Sequence, residues 1–239
     1  MANIHEVTII IPAYNEKSKL SHTVDIVLAE INNVTPFSEI IIAEDGSNDG
    51  TYELAREIAQ KAPNIRLIHS NVRQGKGRAL TRAIKSAEGN IVCYVDADLA
   101  TDMSYLLPLL NAIREDGYDL VTGSRLMPMS EVQRSHKRSI ASKIYNLMVR
   151  LILKSKIYDH QCGFKAFKRA SALNVLDQVK GEHWFWDTEF LVRCQRNGFM
   201  VKELPVKWIE ADSTTVDLAK DVYRMGLQIL WLWWDLYRN

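Results

Sequence analysis

Apolar residues in the first half of the chain fall in short unbroken runs, separated by stretches whose apolar positions recur with helical spacing. Strands are expected over residues 7–11, 39–43, 65–69, 91–95 and 119–122. Between them, helices are expected from about 17 to 33 and near 51–61, 77–87 and 103–115. Continuous apolar strands that alternate with amphipathic helices imply an α/β fold, a mostly parallel sheet covered on both faces. In the second half, 135–156 reads as a long cationic, amphipathic helix. A turn at Cys162-Gly163-Phe164, a strand over 165–168 and a helix near 188–197 follow. A strand over 200–208 then precedes a last helix from about 216 to 237. No stretch rich in Pro, Gly or Ser marks a linker, and there is no internal repeat.

In a parallel sheet, ligands bind beyond the carboxyl ends of the strands. The polar clusters of this sequence sit at those ends. The first strand runs into Pro12-Ala13-Tyr14-Asn15-Glu16 and the second into Glu44-Asp45-Gly46-Ser47. Gly75-Lys76-Gly77 follows the third, and Asp96-Ala97-Asp98 ends the fourth. Each alone is an ordinary turn or helix cap, but four at equivalent positions read as one site. Two carboxylates two residues apart at the end of a buried strand need a cation or several donors. A divalent metal bridging them to a diphosphate would meet that need. Lys76 lies between two glycines, where backbone and ammonium can both approach an anion.

Composition narrows the field. The chain has 239 residues, 47% hydrophobic and 25% charged, with a net charge of +1. That is an ordinary folded protein without the polycationic character of a nucleic-acid binder. Three scattered cysteines, Cys93, Cys162 and Cys194, give neither a disulfide framework nor a zinc site, and fit a reducing compartment. No signal peptide is read at the N-terminus, and no run reaches the roughly 18 apolar residues needed to span a bilayer.

Taken together, the four strand-end motifs resemble a family 2 glycosyltransferase of the GT-A fold. Gly123-Ser124-Arg125, Gln161-Cys162-Gly163-Phe164-Lys165 and Trp186-Asp187-Thr188-Glu189 resemble its polyprenyl-phosphate branch, the dolichyl-phosphate glucosyltransferases and, more distantly, the mannose synthases. The resemblance implies inverting sugar transfer from UDP-glucose or GDP-mannose, aided by Mg²⁺ or Mn²⁺, to a polyprenyl phosphate. It divides residues 1–215 into a nucleotide-sugar half, about 1–123, and an acceptor half, about 124–215. By the same resemblance, Asp45 holds the nucleobase, the loop of Pro12, Ala13, Tyr14, Asn15 and Glu16 frames base and ribose, and Gly75 and Lys76 meet the diphosphate. Asp98 is the direct metal ligand, and Asp96 (beside Ala97) touches ribose or metal. Arg125, Arg138 and Ser142 would grip the lipid phosphate. In many mannose synthases a Gln or Ser stands two residues after the second Asp; here it is Ala100. A Gly-Ser-Lys-type stretch common in relatives is replaced by Ala211-Asp212-Ser213-Thr214-Thr215.

The acceptor decides whether a base is needed. A sugar hydroxyl must lose a proton, and Asp187, in an aromatic setting that raises a carboxylate pKa, would take it. A phosphate monoester is largely ionised at pH 7 and needs cations instead. A non-catalytic sugar-nucleotide scaffold remains the other class. Apolar residues punctuated by cations over 144–154, and Trp231, Trp233 and Trp234 near Tyr237 and Arg238, match the bilayer interface. Residues 216–239 are read as a Trp-rich amphipathic helix, a monotopic anchor or an interface between copies of the chain. The expected location is peripheral, on the cytoplasmic side of a membrane.

Overall fold

The computed structural model describes residues 5–210 and 218–238, with side chains throughout except at 218–223. In chain order the elements begin β1 (Val7–Ala13), α1 (Lys17–Val34), β2 (Ser38–Glu44), α2 (Thr51–Lys61), β3 (Ile65–Ile68) and α3 (Lys76–Ser86). They continue with β4 (Ile91–Val95), a 3-10 turn (Met103–Tyr105), α4 (Leu106–Arg114), β5 (Leu120–Ser124), β6 (Glu131–Gln133) and α5 (His136–Leu153). The last are β7 (Phe164–Lys168), α6 (Arg169–Leu176), α7 (Phe185–Arg196), β8 (Val201–Pro205), β9 (Lys207–Ile209) and α8 (Leu218–Arg238). The segment Ala211–Thr215 lies outside the described residues.

A seven-stranded sheet has the order β3-β2-β1-β4-β7-β5-β8, and β6 pairs with β9 in a small second sheet. All pairs in the large sheet are parallel except those of β7, which runs antiparallel to both β4 and β5. The apolar strands are unbroken because both faces are covered. Ile9, Ile11, Ile40, Ile42, Cys93 and Val95 enter one core with α1 and α4, while Ile10, Ile41, Val92 and Tyr94 enter the other with α3, α6 and α7. A third core joins α5, α7 and α8 through Tyr145, Val149, Phe185, Val192, Ile229 and Leu232. Together these elements make a mostly parallel sheet flanked by helices, as the resemblance to the GT-A fold implies.

Several expectations change. Pro12 and Ala13 belong to β1 rather than to the loop after it, and Lys76 opens α3 rather than preceding it. The single strand expected over 200–208 is two, β8 and β9, in different sheets. Pro205 ends β8; it has no amide to continue the ladder, and the Val206 carbonyl turns to the Glu131 amide at 3.1 Å. The helix expected near 188–197 starts three residues earlier, which places Asp187 and Glu189 inside α7. The sequence pattern missed β6 and α6, which at three and eight residues are too short to show a period.

Candidate active site

The carboxyl ends of β1, β2 and β4, with the segment after β3, form one rim, and cross-links between their loops hold it. Asn15, with φ of 56°, donates its amide to Ser47 Oγ at 3.0 Å and takes the Asn48 amide on Oδ1 at 3.0 Å. The Glu16 amide donates to Thr51 Oγ1 at 2.9 Å. The Arg73 guanidinium lies 4.0 Å over the Tyr14 ring, which ties the loop after β3 to the one after β1. Asp45 is buried, and its carboxylate accepts the Gln74 amide at 3.1 Å and the Gly75 amide at 2.6 Å. Asp45 thereby fixes the turn that delivers Lys76. Gly75 needs its φ of 101°, and a Cβ there would run into the Glu182 carbonyl and the His183 ring.

Lys76 Nζ lies 2.6 Å from Asp96 Oδ1 and 3.9 Å from Asp187 Oδ2. Burial works against its charge, but these carboxylates outweigh it and raise the lysine above its ordinary value. Asp96 donates its amide to the Gly163 carbonyl at 3.0 Å, and its carboxylate covers Gly163 so closely that a Cβ would overlap it. Asp98 accepts the Ala100 amide at 3.1 Å. Burial first, and then Asp96, raises the Asp98 carboxyl above its ordinary pKa. Burial likewise raises Glu16, with Asp98 and Asp96 adding to it against Lys19. With Glu16 and Asp98 both raised in this way, the rim is a site short of positive charge. Oxygen donors with that deficit fit a hard divalent cation. Among the described residues no third carboxylate closes on the aspartate pair, so further ligands would come from a diphosphate or water.

Asp98 and Glu16 open onto a cleft of about 1080 Å³. Lys19, Arg73, Arg78 and Arg224 bring cations to its lining, and Trp184 and Phe185 bring rings. Beneath the rim, Asp187 is hydrogen-bonded by the Tyr94 hydroxyl and lies 2.8 Å from Lys165 Nζ. Lys165 also donates to the Tyr94 hydroxyl at 2.9 Å and to the Cys162 carbonyl. Burial pushes Asp187 up to about 6, against the pull of Lys76, and pushes Lys165 down to about 7. Glu189 accepts the Lys180 amide at 3.0 Å and the Gly181 amide at 2.7 Å and pairs with Arg193, so it organises the turn before α7.

The three residues expected to grip an acceptor phosphate are placed otherwise. Arg125 is mostly buried and bound twice by Asp159, Nε to Oδ2 at 2.7 Å and Nη2 to Oδ1 at 2.8 Å. Burial alone would raise the Asp159 carboxyl, but Arg125 holds it well below the carboxylate range. Arg138 pairs with Glu210, and the Ser142 carbonyl accepts Asn146 Nδ2 at 2.9 Å. None of the three lines the cleft. Sequence reasoning gave no role to Lys165, Tyr94, Arg73, Arg78 or Lys19. A lysine and a tyrosine inside apolar strands were the available signals for Lys165 and Tyr94; Arg73, Arg78 and Lys19 lie in solvated-looking segments.

The chain matches Glycosyl transferase family 2 over residues 8–176. It is 46% identical to glycosyltransferase AglD of Haloferax volcanii over 97% of its own length, but spans only 37% of that longer protein. It is 32% identical to the dolichyl-phosphate beta-glucosyltransferase of Dictyostelium discoideum, covering 96% of this chain and 76% of the relative. Among solved structures, it resembles glucosyl-3-phosphoglycerate synthase from Mycobacterium tuberculosis with Mn²⁺, UDP and glucosyl-3-phosphoglycerate (TM-score 0.68, 19% identity, 97% of this chain and 79% of the other). It also resembles mannosyltransferase PcManGT from Pyrobaculum calidifontis with GDP-Man and Mn²⁺ (TM-score 0.63, 22% identity, 98% and 64%). With its strand-end carboxylates and interlocked loops on this sheet, the chain belongs to glycosyl transferase family 2.

Proposed function

We propose that this chain transfers a sugar, glucose in preference to mannose, from a nucleotide diphosphate to the phosphate of a polyprenyl lipid such as dolichyl phosphate. The observation that carries the reading is the state of Asp187. A hydroxyl acceptor needs a carboxylate free to take its proton. Asp187 is buried and engaged by Tyr94 and Lys165. A phosphate acceptor arrives ionised and needs only to be held, and the cleft offers Lys19, Arg73, Arg78 and Arg224. The dolichyl-phosphate beta-glucosyltransferases among the relatives support glucose and the lipid.

Asp96 and Asp98 would hold Mg²⁺ or Mn²⁺, which when bound neutralises charge on the leaving diphosphate. Lys76, fixed by Asp45 through the 74–75 turn, lies next to Asp96 and adds positive charge on the same side. Tyr14, Asn15 and Glu16 form the cleft wall that would frame base and ribose. Arg125 keeps the end of β5 in place through Asp159 rather than meeting the lipid phosphate directly.

The test is a transfer assay crossing UDP-glucose, UDP-GlcNAc and GDP-mannose with dolichyl phosphate, with Mn²⁺ and with EDTA. Glucosyl transfer to the lipid phosphate that EDTA abolishes is the expected result. Transfer to a free saccharide, with none to any lipid phosphate, would overturn the acceptor.

A further inference from the structure

The turn that carries Lys76 has no cap of its own. The first amides of a helix lack intrahelical acceptors, and the capping position of α3 is Gly75, which has no side chain to supply one. The Gly77 amide donates instead to the Glu182 carbonyl at 2.9 Å, from a segment far along the chain. The approach is close enough to require a glycine, since a Cβ on Gly77 would meet Trp186 and the Gly181 carbonyl. Arg78 adds an ion pair to the Glu182 carboxylate at 2.6 Å. Residues 180–183 are therefore the seat on which the Lys76 turn rests.

A line of charges holds that seat, and it ends on α8. Glu189 is fully buried in α7. Its Oε2 accepts the Lys180 and Gly181 amides, and its Oε1 accepts Arg193 Nε at 2.9 Å. Arg193 Nη2 then donates to Asp235 Oδ2 of α8 at 2.6 Å, and Lys180 Nζ donates to Asp235 Oδ1 at 3.2 Å. Asp235 thus meets both the arginine behind the seat and the lysine that opens it. The hydrogen bond from Arg193 holds the Asp235 carboxyl below its ordinary value, against burial. Buried ion pairs are poor sources of stability, and apolar residues of similar volume often do as well or better. An apolar side chain could not bind two backbone amides and an arginine at once, which is what the Glu189 carboxylate does here. The other end of α8 brings Arg224, Met225 and Gln228 to the cleft, about 16 Å from Asp235 along the helix. One helix touches the site twice, as a wall of the cleft and through the charges behind Lys76.

We infer that Asp235, Arg193 and Glu189 are positioning residues through which α8 holds the 180–183 seat and so sets the place of Lys76. That Lys76 meets a diphosphate rests on the function proposed above; the positioning itself does not.

Hydrogen exchange of the full chain without substrate tests the positioning directly. Asp235→Asn is expected to speed exchange of the Gly77 amide by about tenfold. The amides of β1 should keep their protection, and the thermal midpoint should fall by no more than about 4 °C. Lys180→Gln removes the more exposed link alone and should show the same local change at about two- to threefold; it serves if Asp235→Asn does not fold. In transfer from UDP-glucose to dolichyl phosphate, Asp235→Asn should lose about tenfold in kcat/KM for the donor, and Asp235→Glu should recover most of it. Lys76→Met/Asp235→Asn should be no worse than Lys76→Met within about twofold, whereas independent sites would multiply their losses. Unchanged exchange at Gly77 in both single variants, or equal loss of protection throughout β1, overturns the inference even with transfer intact. Losses that multiply in the double variant also overturn it. A wild-type chain that transfers no sugar would refute the proposed function and leave the exchange result to decide the positioning.

Discussion

The two halves of the large sheet use charge differently. On the β3-β2-β1-β4 side, Glu16 and Asp98 face the cleft, and burial together with repulsion from neighbouring carboxylates pushes both up. On the β7-β5-β8 side, the charges are paired out of water: Arg125 with Asp159, Lys165 with Asp187, Glu189 with Arg193. The first arrangement leaves a deficit that substrate and cation can fill. The second leaves none and holds the floor on which the first is mounted. The contrast teaches that a carboxylate near a site is not thereby a catalyst; its partners decide.

Substitutions on the two sides should therefore fail in different ways. On the open side, Asp98→Asn should lower kcat by about a thousandfold or more, about 4 kcal/mol, with thermal unfolding unchanged. Full activity in that variant would remove Asp98 from the site. On the paired side, Asp159→Asn leaves Arg125 buried without its partner and should cost about 3–5 kcal/mol of stability. Urea unfolding measures this, and a change under 1 kcal/mol would show that the pair does not brace the strand end. Gly163→Ala joins the two sides, since the added methyl displaces the Asp96 carboxylate. A loss of about 1–3 kcal/mol in kcat/KM is expected, measured with saturating metal.

Asp187→Asn should be milder, about tenfold in kcat, because Lys165 sits near 7 and can shed its charge when its partner goes. With Asp187 near 6, the wild-type rate should fall towards the Asn level below that pH as the carboxylate is neutralised. A loss of several orders of magnitude would restore Asp187 as a base and a hydroxyl as acceptor. The smallest effect is on acid stability. Buried His160 is held neutral and pushed down to about 3, chiefly by burial. Its depressed value makes its contribution full above about 6.5 and lost as the pH falls towards 3. His160→Gln should flatten that part of the wild-type curve; parallel curves would exclude His160 as its source.

The same division explains what the sequence made legible. Ile9–Ile11, Ile40–Ile42 and Ile91–Val95 are local patterns that state their own structure, and the strand-end motifs follow each one directly. That Asp45, Lys76, Asp96 and Asp98 fall at or just beyond the ends of those strands was readable from their positions; the roles expected of them rested on the resemblance. Beyond β5 the meaning of a residue depends on a partner far along the chain. Arg125 looked like a phosphate ligand until Asp159, 34 positions on, was beside it. Asp187 was open to a base role for a hydroxyl acceptor, or to orienting the sugar or an arginine, and the Tyr94 and Lys165 that engage it are not its neighbours in sequence. The break at Pro205 was readable from its missing amide, but the partner that β9 finds in β6 was not.

The position of β7 constrains how the protein can be made. It runs between β4 and β5 yet is synthesised after both, about 70 residues beyond β4. Until residue 164 has left the ribosome, β4 presents an open edge in what becomes the middle of the sheet, a template for pairing with another chain. The catalytic rim is then unfinished too, because Asp96 lacks the glycine it rests on. Fragments ending before that strand should aggregate and bind no sugar nucleotide, however complete their motifs. A gene split for expression in two pieces would therefore be better cut after β7 than between the halves of the sheet.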